Sequence, residues 1–507
     1  MSTHQRYIEI MDTTLRDGEQ TSGVSFSASE KLTIAQLLLT EVKVDRIEVA
    51  SARVSEGEFE AVKKITEWAE ENGFINQVEV LTFVDDSTSV EWMLHTGAKV
   101  MNLLTKGSLN HLTHQLKKTP LQHFADVASI IALANKRGLQ CNVYLEDWSN
   151  GMRHSKDYVL QYLDFLEHQP VKRILLPDTL GILTPGETCR YISELVGRYP
   201  QIHFDFHAHN DYDLSISNVL EAVNAGVHGL HVTINGMGER AGNAPLASAI
   251  AVLNDYVKNA RTSVVEKSLY SVSKLVETFT GFRIPANKPV VGENVFTQTA
   301  GVHADGDKKN NLYHNDLMPE RFGRQRKYAL GKTSGKANIE NNLQQLGIKL
   351  SDEDLKKVTQ RIIELGDRKE SVTQADLPYI ISDVLNSNTI EEKVQIENYV
   401  LTHSKNLRPS ATLRIRINSE VFEEHAQGDG QYDAFMNALK KVYSQKKLEL
   451  PLLLDYAVRI PPGGKTDALC ETIITWMFNG REFKTRGLDS DQTVSAIQAT
   501  QKMLNVI

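Results

Sequence analysis

Eight short β-like runs, each of the first seven followed by a helical stretch, occupy residues 7 to 236 and leave few ways for this chain to fold. They are Tyr7 to Leu15, Val44 to Ala50, Val78 to Val84, Lys99 to Thr105, Gln140 to Glu146, Lys172 to Thr179, His203 to Asn210 and Gly229 to Gly236. Pro245 to Val257 reads as the helix that closes the series. Alternating units of about thirty residues predict an α/β fold in which a parallel sheet closes on itself, a TIM (β/α)8 barrel. The expected barrel domain spans residues 1–261.

In such a barrel the loops after the strands converge on one mouth, and chemistry sits there. Arg16 and Asp17 end the first run, Glu146 the fifth, Asp178 and Thr179 the sixth, His207 and His209 the seventh and Asn235 the eighth. His203 to Asn210 alternates apolar and polar residues, so as a strand it points His207 and His209 to the same side. Two imidazoles and the Asp17 carboxylate can share a divalent ion and leave positions open for substrate. Taken alone, such a His pair is more often a surface or satisfied core pair than a ligand set, and Arg16 beside Asp17 is equally what a strand-end ion pair looks like. Their common place at one mouth favours catalysis.

Beyond the barrel the character changes. Residues 262–385 read as a linker and mainly helical subdomain: loop-rich up to Lys332, including Val302 to Lys309, then helical over Asn338 to Leu346, Asp352 to Leu365 and Ala375 to Leu385. Residues 386–507 are expected to form a C-terminal α+β domain, its first residues Asn386 to Glu392 a polar linker. It divides into two β-rich halves, each ending in a helix after a Gly/Asp-rich turn, Gln427 to Ala434 in the first and Arg486 to Asp491 in the second. Helix capping explains Asp429, Asp433 and Asp491 as well as an effector site does.

Composition narrows the function. A net charge of −8 without a Lys/Arg-dense, aromatic-rich segment speaks against nucleic acid as a partner. No apolar stretch reaches membrane-spanning length, and Met1 to Arg6 is polar, so a cytoplasmic protein is expected. Cys141, Cys189 and Cys470 are too few and too scattered for a disulfide framework or a thiolate metal site. Two nucleotide-like motifs fail on context. Gly236-Met237-Gly238-Glu239-Arg240-Ala241 fits the dinucleotide pattern but is followed by a long helical segment in place of a second strand. Gly331-Lys332-Thr333 resembles the end of a phosphate loop, yet Arg326 stands where its first glycine belongs.

Three motifs carry a family resemblance. Thr14-Leu15-Arg16-Asp17-Gly18-Glu19-Gln20, His207-Ala208-His209-Asn210-Asp211 and Asn235-Gly236-Met237-Gly238-Glu239-Arg240-Ala241-Gly242-Asn243-Ala244 resemble, in order, the signatures of the isopropylmalate, homocitrate and citramalate synthases, the Claisen-condensing DRE-TIM metallolyases. Within that family, Tyr144-Leu145-Glu146-Asp147-Trp148-Ser149-Asn150-Gly151 and Asn210-Asp211-Tyr212-Asp213-Leu214 resemble the citramalate-forming branch. Isopropylmalate synthases usually carry Gly where this chain has Asp213 and a small Ser near Tyr144, which counts against a larger keto acid.

The resemblance implies an acyltransferase that converts the acyl group into alkyl on transfer, condensing acetyl-CoA with pyruvate. It implies a divalent ion (Mn, Mg, Co or Zn) on Asp17, His207 and His209, with Asn243 beside them. Arg16 would stabilise the developing alkoxide and Glu146 would serve as general acid/base on acetyl-CoA. His303 and Tyr313 would serve the acetyl-CoA half from the partner subunit of a homodimer. Leu81, Leu104 and Tyr144, with Arg16, Asp17 and Thr179, would bind the keto acid and limit its side chain to a methyl group. The C-terminal domain resembles the leucine-binding regulatory domain of isopropylmalate synthases, with isoleucine as the expected inhibitor and Tyr432, Asp433 and Tyr456 as candidate contacts. The rivals are isopropylmalate or homocitrate synthesis, a lyase of the same superfamily, and a catalytically silent amino-acid sensor. The intact Arg16, Asp17, Glu146, His207 and His209 speak against the sensor.

Overall fold

The computed structural model describes residues 5–308, 312–367, 372, 374–385, 393–459, 470–479 and 481–505. The polar stretch 386–392, expected to be a linker, lies outside them. Two compact units emerge, Met1–Phe296 with His314–Arg326, and Thr297–Tyr313 with Lys327–Ile507.

The first unit is the closed eight-stranded parallel barrel that the alternating runs predict. Its strands are β1 (Glu9–Asp12), β2 (Arg46–Ser51), β3 (Val78–Phe83), β4 (Val100–Lys106), β5 (Gln140–Glu146), β6 (Arg173–Asp178), β7 (Phe204–Ala208) and β8 (Gly229–Val232). Closure is made by β8 against β1, Glu9 opposite Gly229 and Asp12 opposite Val232. The outer helices are α1 (Ala28–Leu37), α2 (Glu56–Asn72), α3 (Thr88–Thr96), α4 (Pro120–Lys136), α5 (Lys156–Leu166), α6 (Pro185–Arg198), α7 (Ser215–Ala225) and α8 (Leu246–Tyr256). Several begin with side-chain caps: Ser27, Thr119 and Thr184 each form a capping box with Glu30, Gln122 and Glu187.

The pleat divides each strand between two environments. Ile10, Ile47, Val49, Val80, Leu103, Val143, Ile174, Phe204, Phe206 and Leu230 face the helices and form one continuous apolar layer. The alternate residues turn inward, and many are polar. Arg46 reaches Glu79 at 3.1 Å and also bonds Asp205, Asn142 donates to Asn102 at 2.8 Å, and His231 lies 3.2 Å from Asp205. The lumen is thus filled by a hydrogen-bonded polar network rather than by the usual layers of branched aliphatics. Gly229 is small for this reason, since a Cβ there would stand 2.2 Å from an Asp205 carboxylate oxygen.

Two runs end three or more residues sooner than expected. β1 stops at Asp12 because the Thr13 carbonyl accepts from the N–H groups of Arg16 and Gly18, at 3.2 and 3.0 Å, turning the chain. β8 stops at Val232, and Ile234–Gly236 forms a short turn with Asn235 at φ 59°.

In the second unit Gly301–Lys308 is a helix (α9), although the segment reads as loop. Its start is fixed from a distance, Gly301 N–H donating to the Thr333 carbonyl at 3.1 Å. Helices α10 (Lys336–Gln345), α11 (Asp352–Asp367) and α12 (Leu377–Leu385) follow around a small core of Ile339, Leu343, Val358, Ile362 and Leu377. The C-terminal module repeats one plan twice. Antiparallel strands β9 (Val394–Ser404), β10 (Leu407–Ile417) and β11 (Glu420–Gln427) precede α13 (Gln431–Gln445), and β12 (Leu452–Arg459), β13 (Cys470–Phe478) and β14 (Arg481–Asp489) precede α14 (Gln492–Leu504). The two halves share one core that includes Leu413, Phe435, Leu439, Trp476 and Ile497. Among the described residues all three cysteines are free, and no helix is long and apolar enough to cross a membrane.

Candidate active site

Asp17 lies in the turn after β1, His207 near the end of β7 and His209 one residue beyond it. The chain stays extended past β7 because His209 bridges to Asn243, which keeps both imidazoles on one side. His207 Nε2 stands 3.3 Å from His209 Nε2 and 3.5 Å from Asp17 Oδ2, and His209 Nε2 lies 3.9 Å from the same oxygen. One ligand atom from each residue lies within 4.8 Å of the others, and all three residues are buried.

Electrostatics suit a cation. Burial pushes His207 and His209 below the ordinary imidazole range, which favours the neutral form that can donate a lone pair. Burial alone would raise Asp17, but the attraction of the Arg16 guanidinium, with the hydrogen bond from Asn243, outweighs it and holds the carboxyl well below the usual range. Asn243 donates from Nδ2 to Asp17 Oδ1 at 2.9 Å and to the Met237 carbonyl at 3.0 Å, while its buried Oδ1 has no protein partner. Two acceptors around one amide atom require nitrogen there, so in this arrangement Asn243 orients Asp17. Gly238 makes the approach possible: its φ is 149°, and a Cβ would lie 2.2 Å from Asn243 Nδ2 and 3.1 Å from Asp17 Oδ1. The donor set, two imidazole nitrogens and a carboxylate with a spare buried amide oxygen, fits a divalent first-row ion or magnesium.

Arg16 spans the floor of the site. Its Nη1 contacts Asp17 Oδ2 at 2.8 Å, its Nε contacts Glu48 Oε2 at 2.6 Å and its Nη2 lies 3.4 Å from the Tyr144 hydroxyl. Burial would lower it, but Glu48 and Asp17 raise it above its ordinary value, so it stays a cation. Glu48 was not anticipated from the sequence. Fully buried in β2, it also accepts from Thr13 Oγ1 and Asn102 Nδ2, both at 2.8 Å. Its one sequence signal is a carboxylate between Ile47 and Val49 in the β-like run Val44 to Ala50.

Leu81 from β3 and Tyr144 from β5 form a cluster with Leu175 of β6, and Leu104 from β4 packs on it. Leu175 is the second residue the sequence did not single out. The Tyr144 hydroxyl is 2.9 Å from His231 Nδ1, which fixes the ring against the lumen network. Glu146 ends β5 and is ion-paired with Lys106 at the end of β4. Thr179 accepts from the Asp147 N–H at 2.9 Å and so ties the β6 loop to the β5 loop.

Two mouth residues turn elsewhere. Asp178 accepts from the N–H groups of Ile182 and Leu183, at 3.1 and 3.0 Å, and holds its own loop. Asn235 Nδ2 donates to the Ser273 carbonyl at 3.0 Å, away from the site. In the second unit His303 and Tyr313 are both exposed, with ring centroids 4.2 Å apart. In the C-terminal module Tyr432 and Tyr456 have centroids 5.4 Å apart, and the Tyr432 hydroxyl lies 2.7 Å from Thr500 Oγ1. Asp433 accepts the Asp429 N–H at 2.9 Å, and Asp491 caps α14 through the N–H groups of Thr493 and Val494.

A closed (β/α)8 barrel with a buried Asp/His/His cluster at its mouth is the frame of a candidate metal-dependent enzyme. The chain belongs to the HMGL-like family, whose profile matches residues 7–276, in the group that contains (R)-citramalate and 2-isopropylmalate synthases. The homocitrate synthase post-HMGL domain-like profile matches residues 290–370, and the LeuA allosteric (dimerisation) domain matches 371–507. The chain is 31% identical to the (R)-citramalate synthase of Methanocaldococcus jannaschii over 99% of each chain. It is also 31% identical to the 2-isopropylmalate synthase of the same organism, over 99% of this chain and 94% of that one.

Proposed function

We propose that the protein joins acetyl-CoA to pyruvate and hydrolyses the thioester, giving (R)-citramalate and CoA. The observation that carries this reading is the placement of the Asp17, His207 and His209 cluster and Arg16 beside the apolar cluster of Leu81, Leu104, Tyr144 and Leu175. A divalent ion held by those three residues would polarise the ketone of a 2-keto acid and fix its orientation. Glu146 removes a proton from the acetyl methyl group. The resulting carbon nucleophile forms a bond to the keto carbon, and the carbonyl electron pair moves to oxygen, where Arg16 stabilises the alkoxide before it is protonated. Water then cleaves the thioester, and CoA leaves as the thiol. The acyl group has become alkyl, and hydrolysis makes the sequence effectively irreversible.

Substrate choice follows from bulk. The leucines and Tyr144 leave room for the methyl group of pyruvate and crowd anything longer. The domain plan is a catalytic barrel over residues 1–261, a linking subdomain over 262–385 and a regulatory domain over 386–507. The match to a dimerisation domain supports a homodimer, in which His303 and Tyr313 serve the acetyl-CoA half of the partner's site. The regulatory module takes isoleucine, with Tyr432, Asp433 and Tyr456 as contacts, so that a cytoplasmic pyruvate route to isoleucine is limited by its end product. The similarity to a 2-isopropylmalate synthase supports a second reading, in which 2-ketoisovalerate is the acceptor and the pathway leads to leucine.

The test is free-thiol release from acetyl-CoA by the purified protein with Mn or Mg, comparing pyruvate, 2-ketoisovalerate and 2-ketoglutarate, with a chelator control. Chelator-sensitive release with pyruvate far ahead is expected. A lead for 2-ketoisovalerate would establish the second reading, and no release with any keto acid would overturn both.

A further inference from the structure

Lys31 is 0% exposed, on the face of α1 that packs against the barrel, and its ammonium is surrounded by acceptors. It donates to the Leu15 carbonyl at 3.0 Å and to the Val49 carbonyl at 3.3 Å, and it pairs with Glu19 at 2.6 Å and Glu58 at 2.5 Å. A lysine is rarely buried so completely unless it is paired. What matters is where those acceptors stand in the chain. Leu15 immediately precedes Arg16, and Glu19 lies two residues after Asp17, so one ammonium grips both flanks of the segment that carries Arg16 and Asp17. Val49 immediately follows Glu48, the carboxylate that aims Arg16. Glu19 is itself fixed, accepting the Phe26 N–H at 2.8 Å.

We propose that Lys31 is a positioning residue for the active site, holding the turn after β1 and the end of β2 in the register that sets Asp17 toward His207 and His209 and Arg16 toward the keto acid. The proposal rests on the reading of Asp17, His207 and His209 as a metal site. Besides the bonds the turn makes itself, with the Thr13 carbonyl accepting from Arg16 and Gly18 and Thr21 Oγ1 accepting from the Gly238 N–H at 2.8 Å, the Lys31 ammonium ties both of its flanks to the end of β2. Glu58 plays a different part. It lies on α2, outside both functional segments, and serves as a charge partner only.

This separates positioning from stability. Replacing Lys31 with Met keeps most of the volume and leaves the Leu15 and Val49 carbonyls without their donor. The turn then loses the tie that joins both its flanks, and a shift of about 1 Å at Arg16 and Asp17 is enough to cost about a hundredfold in rate. Glu58→Gln weakens the same buried charge cluster but leaves the ammonium on Leu15, Val49 and Glu19.

The experiment uses the full-length protein and Mn(II) alone as probe. Mn(II) affinity is measured by calorimetry for wild type, Lys31→Met and Glu58→Gln, together with melting temperature, kcat and KM for pyruvate. For Lys31→Met the Mn(II) Kd is expected to rise at least tenfold and kcat to fall about a hundredfold. For Glu58→Gln the melting temperature should fall while Kd and kcat stay within a factor of two. Lys31→Met with wild-type Kd and kcat and only a lower melting temperature would overturn the proposal. If Lys31→Met does not fold, Glu19→Gln decides: a raised Kd supports positioning and an unchanged one overturns it. Failure of wild type to bind Mn(II) would instead refute the metal-site reading itself.

Discussion

Leu104→Ala should widen the range of accepted keto acids, and the expected size follows from the pocket. Leu81 is 6% exposed, while Leu104 is half-buried against the Leu81, Tyr144 and Leu175 cluster, so truncating Leu104 opens space with less damage to the barrel. The stability cost should lie toward the low end of the roughly 2–5 kcal/mol that buried Leu→Ala changes cost. 2-Ketobutyrate carries one methylene more than pyruvate, and burying it contributes about 0.8 kcal/mol, roughly fourfold in kcat/KM. Relief of crowding raises the total toward about 1–3 kcal/mol, so the ratio of kcat/KM for 2-ketobutyrate over pyruvate should rise about fivefold to 150-fold. 2-Ketoisovalerate should gain in the same direction. Thiol release measured across substrate concentration for the three keto acids gives these ratios directly. If all three kcat/KM values fall by one common factor, Leu104 merely fills the barrel top and the bulk argument for pyruvate is wrong.

Other outcomes follow from single groups. Glu48→Gln removes the carboxylate that aims Arg16 and leaves a buried guanidinium half-paired; kcat should fall about a hundredfold, and a fall of less than fivefold would show that Glu48 does not position Arg16. Burial raises Asp12 to about 7, and one of its oxygens has no partner, so the folded chain keeps a proton there that the unfolded chain releases near pH 4. That contribution is fully present below pH 4 and is lost as pH rises through about 7, an effect of the order of 2–4 kcal/mol. Asp12→Asn should therefore raise the melting temperature at pH 8 and leave it nearly unchanged at pH 4.5; equal shifts at both pH values would contradict this. Deleting residues 393–507 should abolish inhibition by isoleucine, and inhibition that survives in the truncated enzyme would place the effector site elsewhere.

The barrel was legible because Ile, Val, Leu and Phe recur in short runs at regular spacing, with helical stretches between them. The strand ends were not, because Thr13 and Thr14 are good strand formers and only the carbonyl of Thr13, turned toward Arg16 and Gly18, stops β1. The mouth residues were legible where a motif marks them, as at Arg16, Asp17, His207 and His209. Glu48, Leu175 and His231 had no such mark, since each sits inside a run that looks like core, and their roles depend on which strands the closed sheet makes neighbours. Asp178 and Asn235 show the converse. Both lie at the predicted mouth, yet backbone groups claim their side chains, those of its own loop for Asp178 and the distant Ser273 carbonyl for Asn235. The helix Gly301–Lys308 escaped detection because a long-range bond to Thr333 fixes a segment rich in glycine and aspartate.

The most direct test of the central claim is the carbon skeleton of the product. Purified protein with Mn or Mg, unlabelled acetyl-CoA and uniformly 13C-labelled pyruvate is followed by NMR, and the product is resolved by chiral chromatography. The account predicts (R)-citramalate, a five-carbon diacid with three labelled carbons, including the methyl group and the hydroxyl-bearing carbon. Unchanged pyruvate, or cleavage of added citramalate without its synthesis, would contradict it.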